Sequence, residues 1–518
     1  MKKTLLKVMG LIMVLALTVT PVMADPDVDP NPGRGNTDVV VMNMGSAAAA
    51  ATAIYYSPGG NPEYTANTNL AAKGSYRFAA SAATPLGDNW RGSMVVQSAG
   101  EVAAVAEIIW TNGSSADGTT ADAYTGFSTG STTMYVPYVV WAPTAQFTLF
   151  SVQNTESTTA NIRLTFLNRN GGQDLQVNDT LPALGSKSFD PRNYNQLQGS
   201  SFWQNNCSTG YCYWSGAVKV ESTNGKKITA AATNHWRDYA GAYSGVASGA
   251  NRSFVSSVER RCTNCGWDPI NGVVGAWRGF SVVNVQCLSA TPCQVRIQFV
   301  GQTSTMTSLT LPDRTVAAGA AISANTRAGD EFDKNLFNQL RDTGNPAGQN
   351  LWAGSVIVST LNGTDVAVVA YNQRPDERIA TGSGGAGAVD AGLSTYLPAA
   401  YKRGVCDGGT NWTTFSIIRI QNPTTNNASD VDIYYYNRNG TLATSELNRS
   451  IAAGTALTRH TRVDCTALAA LGSNWEGSVY IASNQPLVAV AETYQNAFVI
   501  PSLGPSWAAG YNGYSVTP

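Results

Sequence analysis

A tryptophan, a nearby glycine and an alternating apolar run occur together four times in this chain, as NWRGSMVVQS, YWSGAVKVES, LWAGSVIVST and NWEGSVYIAS. The tryptophans are Trp90, Trp214, Trp352 and Trp475, at intervals of 124, 138 and 123 residues. An interval this long means a repeated unit of domain size, not a solenoid coil of ~20 to 50 residues. Each is followed, 12, 14, 14 and 12 residues later, by a second apolar run beginning at Val102, Ile228, Val366 and Leu487. In the first run Met94 and Val96, Val218 and Val220, Val356 and Val358, and Val479 and Ile481 share one face, as in a half-buried strand. Asn-Gly lies between the two runs in the second and third units, and this predicts that the runs pair as a hairpin. The tryptophan is expected to close one end of a core, and the glycine to sit where two backbones pass closely.

Upstream of each tryptophan lies another hairpin pattern, clearest in SVQNTESTTANIRLTFLNRNG, NVQCLSATPCQVRIQFVG and RIQNPTTNNASDVDIYYYNRNG. Its inward residues are predicted to be Ile162, Leu164 and Phe166, then Val295, Ile297 and Phe299, then Val431, Ile433 and Tyr435. The first unit carries an alanine-rich version, VMNMGSAAAAATAIYYSPGGN. A strand opened by an Ala/Gly turn follows (LAAKGSYRF, LPALGSKSF, VAAGAAIS, IAAGTALT), and MYVPYVV, SFVSSVE and TYLPAAY precede the hairpins as further strands. Segments such as DEFDKNLFNQL and DCTALAAL read as one or two helical turns.

Many short strands separated by frequent turns predict an all-β chain of four tandem antiparallel β-sandwich (Ig-like) domains. The repeats are placed at 37–111, 134–240, 241–380 and 381–518, the last including the C-terminal tail. The Gly/Ser/Thr-rich connectors, residues 112–133 and the stretch ATGSGGAGAVDAG, are expected to flex.

MKKTLLKVMGLIMVLALTVTPVMA combines basic residues, a short apolar stretch and small residues at its end, so residues 1–24 read as a secretory signal peptide. Residues 25–36 read as a Pro-rich leader. No later segment reaches the ~20 consecutive apolar residues of a spanning helix, so no transmembrane segment is expected in the mature chain. Charged residues make up 13% and the formal net charge is -1, which offers no electrostatic basis for binding nucleic acid. Together these features predict a secreted, extracellular protein, associated with the cell surface.

Eight cysteines behind a signal peptide predict disulfides. Cys287 and Cys293 flank one hairpin turn, Cys207 and Cys212 close a small loop before Trp214, Cys406 and Cys465 are the pair of the fourth unit, and Cys262 is paired with Cys265 in CTNC. The competing reading of Cys262, Cys265, Cys287 and Cys293 is a four-thiolate zinc site, a spacing more at home in a cytosolic protein.

No catalytic, cofactor-binding or metal-binding residue is expected. His235 and His460 fall at non-equivalent positions of different units and read as surface or strand-end residues, and no nucleophile elbow, HExxH or phosphate loop is present in a suitable setting. Exposed rings offer a binding function instead. Tyr434 and Tyr436 flank the inward Tyr435 and are predicted to project from the opposite sheet face, and Trp203, Tyr211 and Tyr213 gather around the Cys207 loop. Such rings either stack on glycans or cover sheet edges and domain junctions.

SVQN, NRNG, WEGSV, LVAVAE, AYTGFSTG and TYLP, which together span most of the mature chain, resemble the tandem repeats of secreted bacterial surface proteins. The resemblance implies an exported β-sandwich array of the cell envelope or extracellular matrix. The expected role is non-catalytic, structural or adhesive, through multivalent weak contacts with envelope or matrix polymers, with glycans, or by self-association. Carbohydrate binding through exposed aromatics is the alternative, and a secreted hydrolase a third.

Overall fold

The computed structural model describes residues 11–14, 33–111, 119–143, 145–207, 212–236, 240–267, 274–345, 349–374, 379–387, 390–406, 412–495 and 507–516. The fold is all-β, built from several antiparallel sheets with only short helical turns between strands. The second repeat shows the plan. Its strand order is Gln173–Leu181, Ala160–Asn168, Trp214–Ser222, Thr133–Ala142, Gln146–Asn154, Ile228–Trp236 and Ala240–Ser244. A short pairing, Gln146 opposite Ala142 and Phe147 opposite Trp141, carries the hydrogen bonding from the first layer into the second.

Four strand types recur. The opening strands are Thr133–Ala142, Arg252–Trp267 and Gly392–Gly404. The Trp strands are Ser93–Ser98, Trp214–Ser222, Gln349–Thr360 and the first half of Asn474–Gln495. The return strands are Val102–Thr111, Ile228–Trp236, Val366–Arg374 and the second half of Asn474–Gln495. The axial strands, Thr119–Thr125, Ala240–Ser244, Ile379–Gly384 and Trp507–Asn512, follow them and pair with them.

The inward residues of the three full hairpins, from Ile162 to Tyr435, are at most 1% exposed, as their alternation predicts. In the first repeat Ala51, Ala53 and Tyr55 take the corresponding buried places. Each Trp-strand glycine lies against the neighbouring hairpin strand. A Cβ there would meet the carbonyl oxygen of Tyr56, Leu167, Val300 or Tyr436 at 1.9, 2.0, 2.2 and 1.9 Å. The four predicted disulfides are all present, so Cys262, Cys265, Cys287 and Cys293 form two bridges rather than a thiolate metal site. Among the helical segments, Lys334–Gln339 and Ala469–Leu471 fold as 3-10 turns.

Two expectations are corrected. The Trp and return runs do not pair with each other in the second repeat: the Trp strand bonds to Ala160–Asn168 and the opening strand, the return strand to Gln146–Asn154 and the axial strand. The return strand is buried at nearly every position, on both faces, which demands a place inside a sheet and not on a hairpin edge. The connectors are not free tethers either. Thr119–Thr125, inside 112–133, pairs along the return strand of the first repeat, and ATGSGGAGAVDAG begins within the axial strand Ile379–Gly384.

The axial strands pack against one another, and the repeats thereby close into a ring. Turns of the upstream hairpins meet the Ala/Gly turns of the following repeat. Gly60, Gly171 and Gly440, with φ of +82, +88 and +80, lie where a Cβ would strike the carbonyl oxygen of Ala183, Ala318 and Ala72 respectively. Ala321 N–H donates to Arg169 C=O at 3.1 Å, and Ser75 N–H to Arg438 C=O at 3.0 Å, so the fourth repeat is bound to the first as the second is to the third. The seam between the third and fourth is centred on Glu492, whose carboxylate accepts from Ser257 Oγ at 2.9 Å and Asn372 Nδ2 at 2.7 Å. Burial alone would raise this carboxyl, but Arg419 and Arg374, with the Asn372 and Ser257 hydrogen bonds, hold it below its ordinary value.

Candidate binding face and the ring axis

Asp122, fully buried, sits where the four axial strands converge. Its Oδ1 accepts from the backbone N–H of Ala123 and of Gly510, both at 2.7 Å. Its Oδ2 accepts from the N–H of Gly382 at 2.8 Å and from that of Ala242. One donor comes from each repeat, at the same position three residues before the glycine that ends the axial motif: Gly126, Gly245, Gly385 or Gly513. Burial pushes the carboxyl up and the four donors oppose this. All four of these hydrogen bonds come from backbone N–H groups, an arrangement that favours the ionised carboxylate against the cost of its burial. At the corresponding positions the other repeats carry Gly241, Thr381 and Ala509, so a single acid serves all four. Beside it opens a cavity of about 440 Å³, lined by Ser244, Ser256, Asp390, Asn512 and Tyr514 among others.

The sheet of the fourth repeat carries a row of tyrosines on its outer side. Tyr514, Tyr396, Tyr480 and Tyr434 occupy directly opposed positions on four neighbouring strands, and Ser445 is the next residue in the row. Opposed side chains in a sheet lie close enough to stack. Tyr396 and Tyr480 do so at 5.0 Å between centroids and 26° between planes, Tyr480 and Tyr434 at 5.7 Å and 20°. Lys73, from the first repeat, places its Nζ 4.7 Å and 4.6 Å from the Tyr396 and Tyr480 centroids. Burial lowers the pKa of this ammonium, while Glu101 opposes the shift. Tyr396 is pushed up to about 12, chiefly by burial, so its ring remains neutral. Tyr434 OH donates to Asp432 at 2.9 Å, fixing the ring. One face of Tyr434 is covered by Tyr480; the other looks over the small Ser445. The row therefore ends in a half-buried aromatic surface beside a carboxylate and a hydroxyl.

The other residues read from the sequence are placed variously. Tyr436 is half-buried beyond the row, on the same side of its strand as Tyr434. Trp203 is 7% exposed and lies against Trp141, with 4.8 Å between centroids, so its ring belongs to the core and offers no platform. It lies within a capped helical turn, Ser201–Asn205, whose buried side carries the ring. Tyr213 is half-buried against Phe202 and lines a cleft with Arg169 and Glu331, whereas Tyr211 lies outside the described residues. His235 is in the core and not at the surface, between Trp110 at 4.9 Å and Phe147 at 5.1 Å, and burial with Arg192 nearby brings its pKa down to about 3. His460 is half-buried at a strand end, stacked on Phe415 at 4.9 Å.

Tyr396, Tyr480, Lys73 and Asp122 escaped the sequence reading. The outward column Val95, Lys219, Ile357 and Tyr480 carries a signal for the tyrosine row, because only the fourth repeat places a tyrosine there.

No protein-family profile and no curated protein matches the chain. Among solved structures, Thermotoga maritima protein 1070 is similar over 24% of this chain and 97% of its own, at 15% identity and a TM-score of 0.20. The Anabaena sensory rhodopsin transducer matches over 20% of this chain and 87% of its own, at 18% identity and a TM-score of 0.16. The infectious bursal disease virus VP2 subviral particle matches over 96% and 80%, at 8% identity and a TM-score of 0.12. Scores this low assign neither a fold family nor an activity.

Proposed function

We propose that this is a non-catalytic protein of the bacterial cell surface or extracellular matrix, in which four Ig-like sandwich domains form a ring with a structural or adhesive role. Its contacts are with envelope or matrix polymers, glycans among them, through the tyrosine row of the fourth repeat. The stacked row Tyr396, Tyr480 and Tyr434, ending in an open ring beside Asp432 and Ser445, carries this reading. A fixed aromatic face flanked by hydrogen-bonding groups is how protein surfaces hold the apolar face of a sugar. Four disulfides and the low charge support an extracellular setting.

Holding the repeats in a ring changes the expected mode of adhesion. Copies assembled on a surface, and not repeats strung along one chain, supply the multivalency, so each single contact stays weak. Purified protein should be retained by cells, isolated envelope or matrix polysaccharide in affinity electrophoresis or sedimentation. Tyr434→Ala should weaken retention roughly 3- to 10-fold, the range of one lost aromatic contact, with melting nearly unchanged because the ring is at the end of the row. A protein that binds none of these materials and does not self-associate contradicts the proposal.

A further inference from the structure

The first repeat differs from the others in how its opening-strand slot is filled. In the second repeat the opening strand runs the length of the Trp strand, with Met134 opposite Val220, Val136 opposite Val218, Val139 opposite Gly216 and Trp141 opposite Trp214. On the corresponding side of the Trp strand of the first repeat, the described residues hold only Leu11–Val14, with Ile12 opposite Val96 and Val14 opposite Met94. Counted from Trp90 and Trp214, this is the same register. Leu11–Val14 lies within the segment read as a secretory signal peptide, which export removes.

Two buried polar atoms mark the rest of the slot. In the other repeats a hydroxyl of the neighbouring strand accepts an N–H from the opening strand: Thr148 from Val140 at 2.9 Å, Ser281 from Glu259 at 2.6 Å, Ser416 from Tyr401 at 2.9 Å. Thr37 occupies the equivalent place in the first repeat, and its Oγ1 has no hydrogen-bond partner. The axial tyrosines Tyr243 and Tyr511 likewise clasp the opening-strand backbone. Tyr243 OH donates to Tyr138 C=O at 2.7 Å and accepts from Tyr138 N–H at 3.2 Å, and Tyr511 makes the same two bonds to Ala399. Tyr124 is their counterpart, 1% exposed, and its hydroxyl too is without a partner. Buried hydroxyls are rarely left unpaired, and these two are placed where a strand backbone belongs. The third sign is Trp90, half-buried where Trp214, Trp352 and Trp475 are 0, 0 and 4% exposed.

We propose that the slot along Ser93–Ser98, running on past Trp90, Thr37 and Tyr124, is a strand-acceptor site completed in the exported protein by an extended segment of another polypeptide. This is β-strand addition at an open sheet edge. The three filled slots define the chemistry of the donor: a strand antiparallel to Ser93–Ser98, apolar where Val136, Val255 and Leu397 stand and again where Val139, Val258 and Ala400 stand, with a two-residue bulge between those two positions. Its backbone would supply the N–H for Thr37 Oγ1 and the C=O and N–H for Tyr124 OH. The inference rests on the exported reading above.

The test uses protein recovered after export, its N-terminus read by mass spectrometry. It is titrated with a labelled synthetic peptide of residues Thr133–Ala142, TMYVPYVVWA, which already fits an equivalent slot. One saturable site per chain is expected, with a shift in Trp90 emission and new hydrogen-exchange protection of the Ser93–Ser98 amides. The peptide carrying Val136→Asp and Val139→Asp should bind at least tenfold more weakly. Tyr124→Phe should weaken the unaltered peptide by at least about fivefold, since two hydrogen bonds to the donor are lost, while leaving melting unchanged or higher, because the hydroxyl it removes is unpaired without a donor. An N-terminus at Met1, with residues 11–14 protected in the slot, overturns both this proposal and the exported reading. An N-terminus near Asp25 with no peptide binding, or with protection of Ser93–Ser98 that appears only on self-association, overturns the acceptor site alone.

Discussion

Asp122→Asn should destabilise the ring by about 3 kcal/mol, although the change is nearly isosteric and the residue is fully buried. The carboxylate offers two oxygens to four backbone N–H groups, one from each repeat. An asparagine keeps one oxygen and turns an NH2 toward the remaining two donors, and each buried donor left without an acceptor costs about 1 to 3 kcal/mol. The loss should fall on all four axial strands together, because the residue belongs to no single seam. Thermal unfolding and limited proteolysis measure it: the melting transition should drop by several degrees, and new cleavages should map to residues 119–125, 240–244, 379–384 and 507–512. Unchanged melting would mean that the four donors have another acceptor or that the strands do not converge.

Gly477→Ala should have an effect of comparable size by a different route. The methyl group would lie 1.9 Å from the Tyr436 carbonyl oxygen and 2.8 Å from the Trp475 ring. Neither neighbour can yield cheaply: one is backbone paired on both sides within the sheet, the other a tryptophan 4% exposed. Separating the strands breaks hydrogen bonds around Gly477 and opens the packing of Tyr435 on Trp475, whose centroids are 6.1 Å apart. Overpacking with strand displacement costs about 3 kcal/mol or somewhat more. Denaturant unfolding of the variant checks this. The neighbouring Ser478→Ala removes only the hydroxyl that donates to Lys73 C=O across the seam to the first repeat, at 2.7 Å, and should cost about 1 kcal/mol.

These two residues also mark what the sequence made legible. Gly477 was legible because its signal repeats: four glycines two residues after four tryptophans imply a shared backbone approach, and all four are found in one. The inward faces of the hairpins and the cysteine pairs were readable for the same reason, since alternation and short spacing report local geometry directly. Asp122 was not legible. It stands alone in TADAYTG, within a connector whose composition reads as a tether, and its partners are backbone amides that leave no mark on residue identity. The ring escaped likewise, because its seams are made by glycine turns set against carbonyl oxygens. The expected pairing of the Trp and return runs failed because the Asn-Gly turn signal is local, whereas burial of the return strand on both faces is decided by the sheet it joins. At the tyrosine row the outward direction of Tyr434 and Tyr436 was readable from alternation. Their company was not, because Tyr396 and Tyr480 come from other strands and Lys73 from another repeat.

Small-angle X-ray scattering of the purified protein tests the ring most directly. Four repeats closed around one axis make a compact particle, with a radius of gyration of about 24 Å for a chain of this length. A scattering profile of that size, unchanged by salt, is the predicted result. A much larger radius, with the elongated profile of sandwich units strung on flexible connectors, would contradict it.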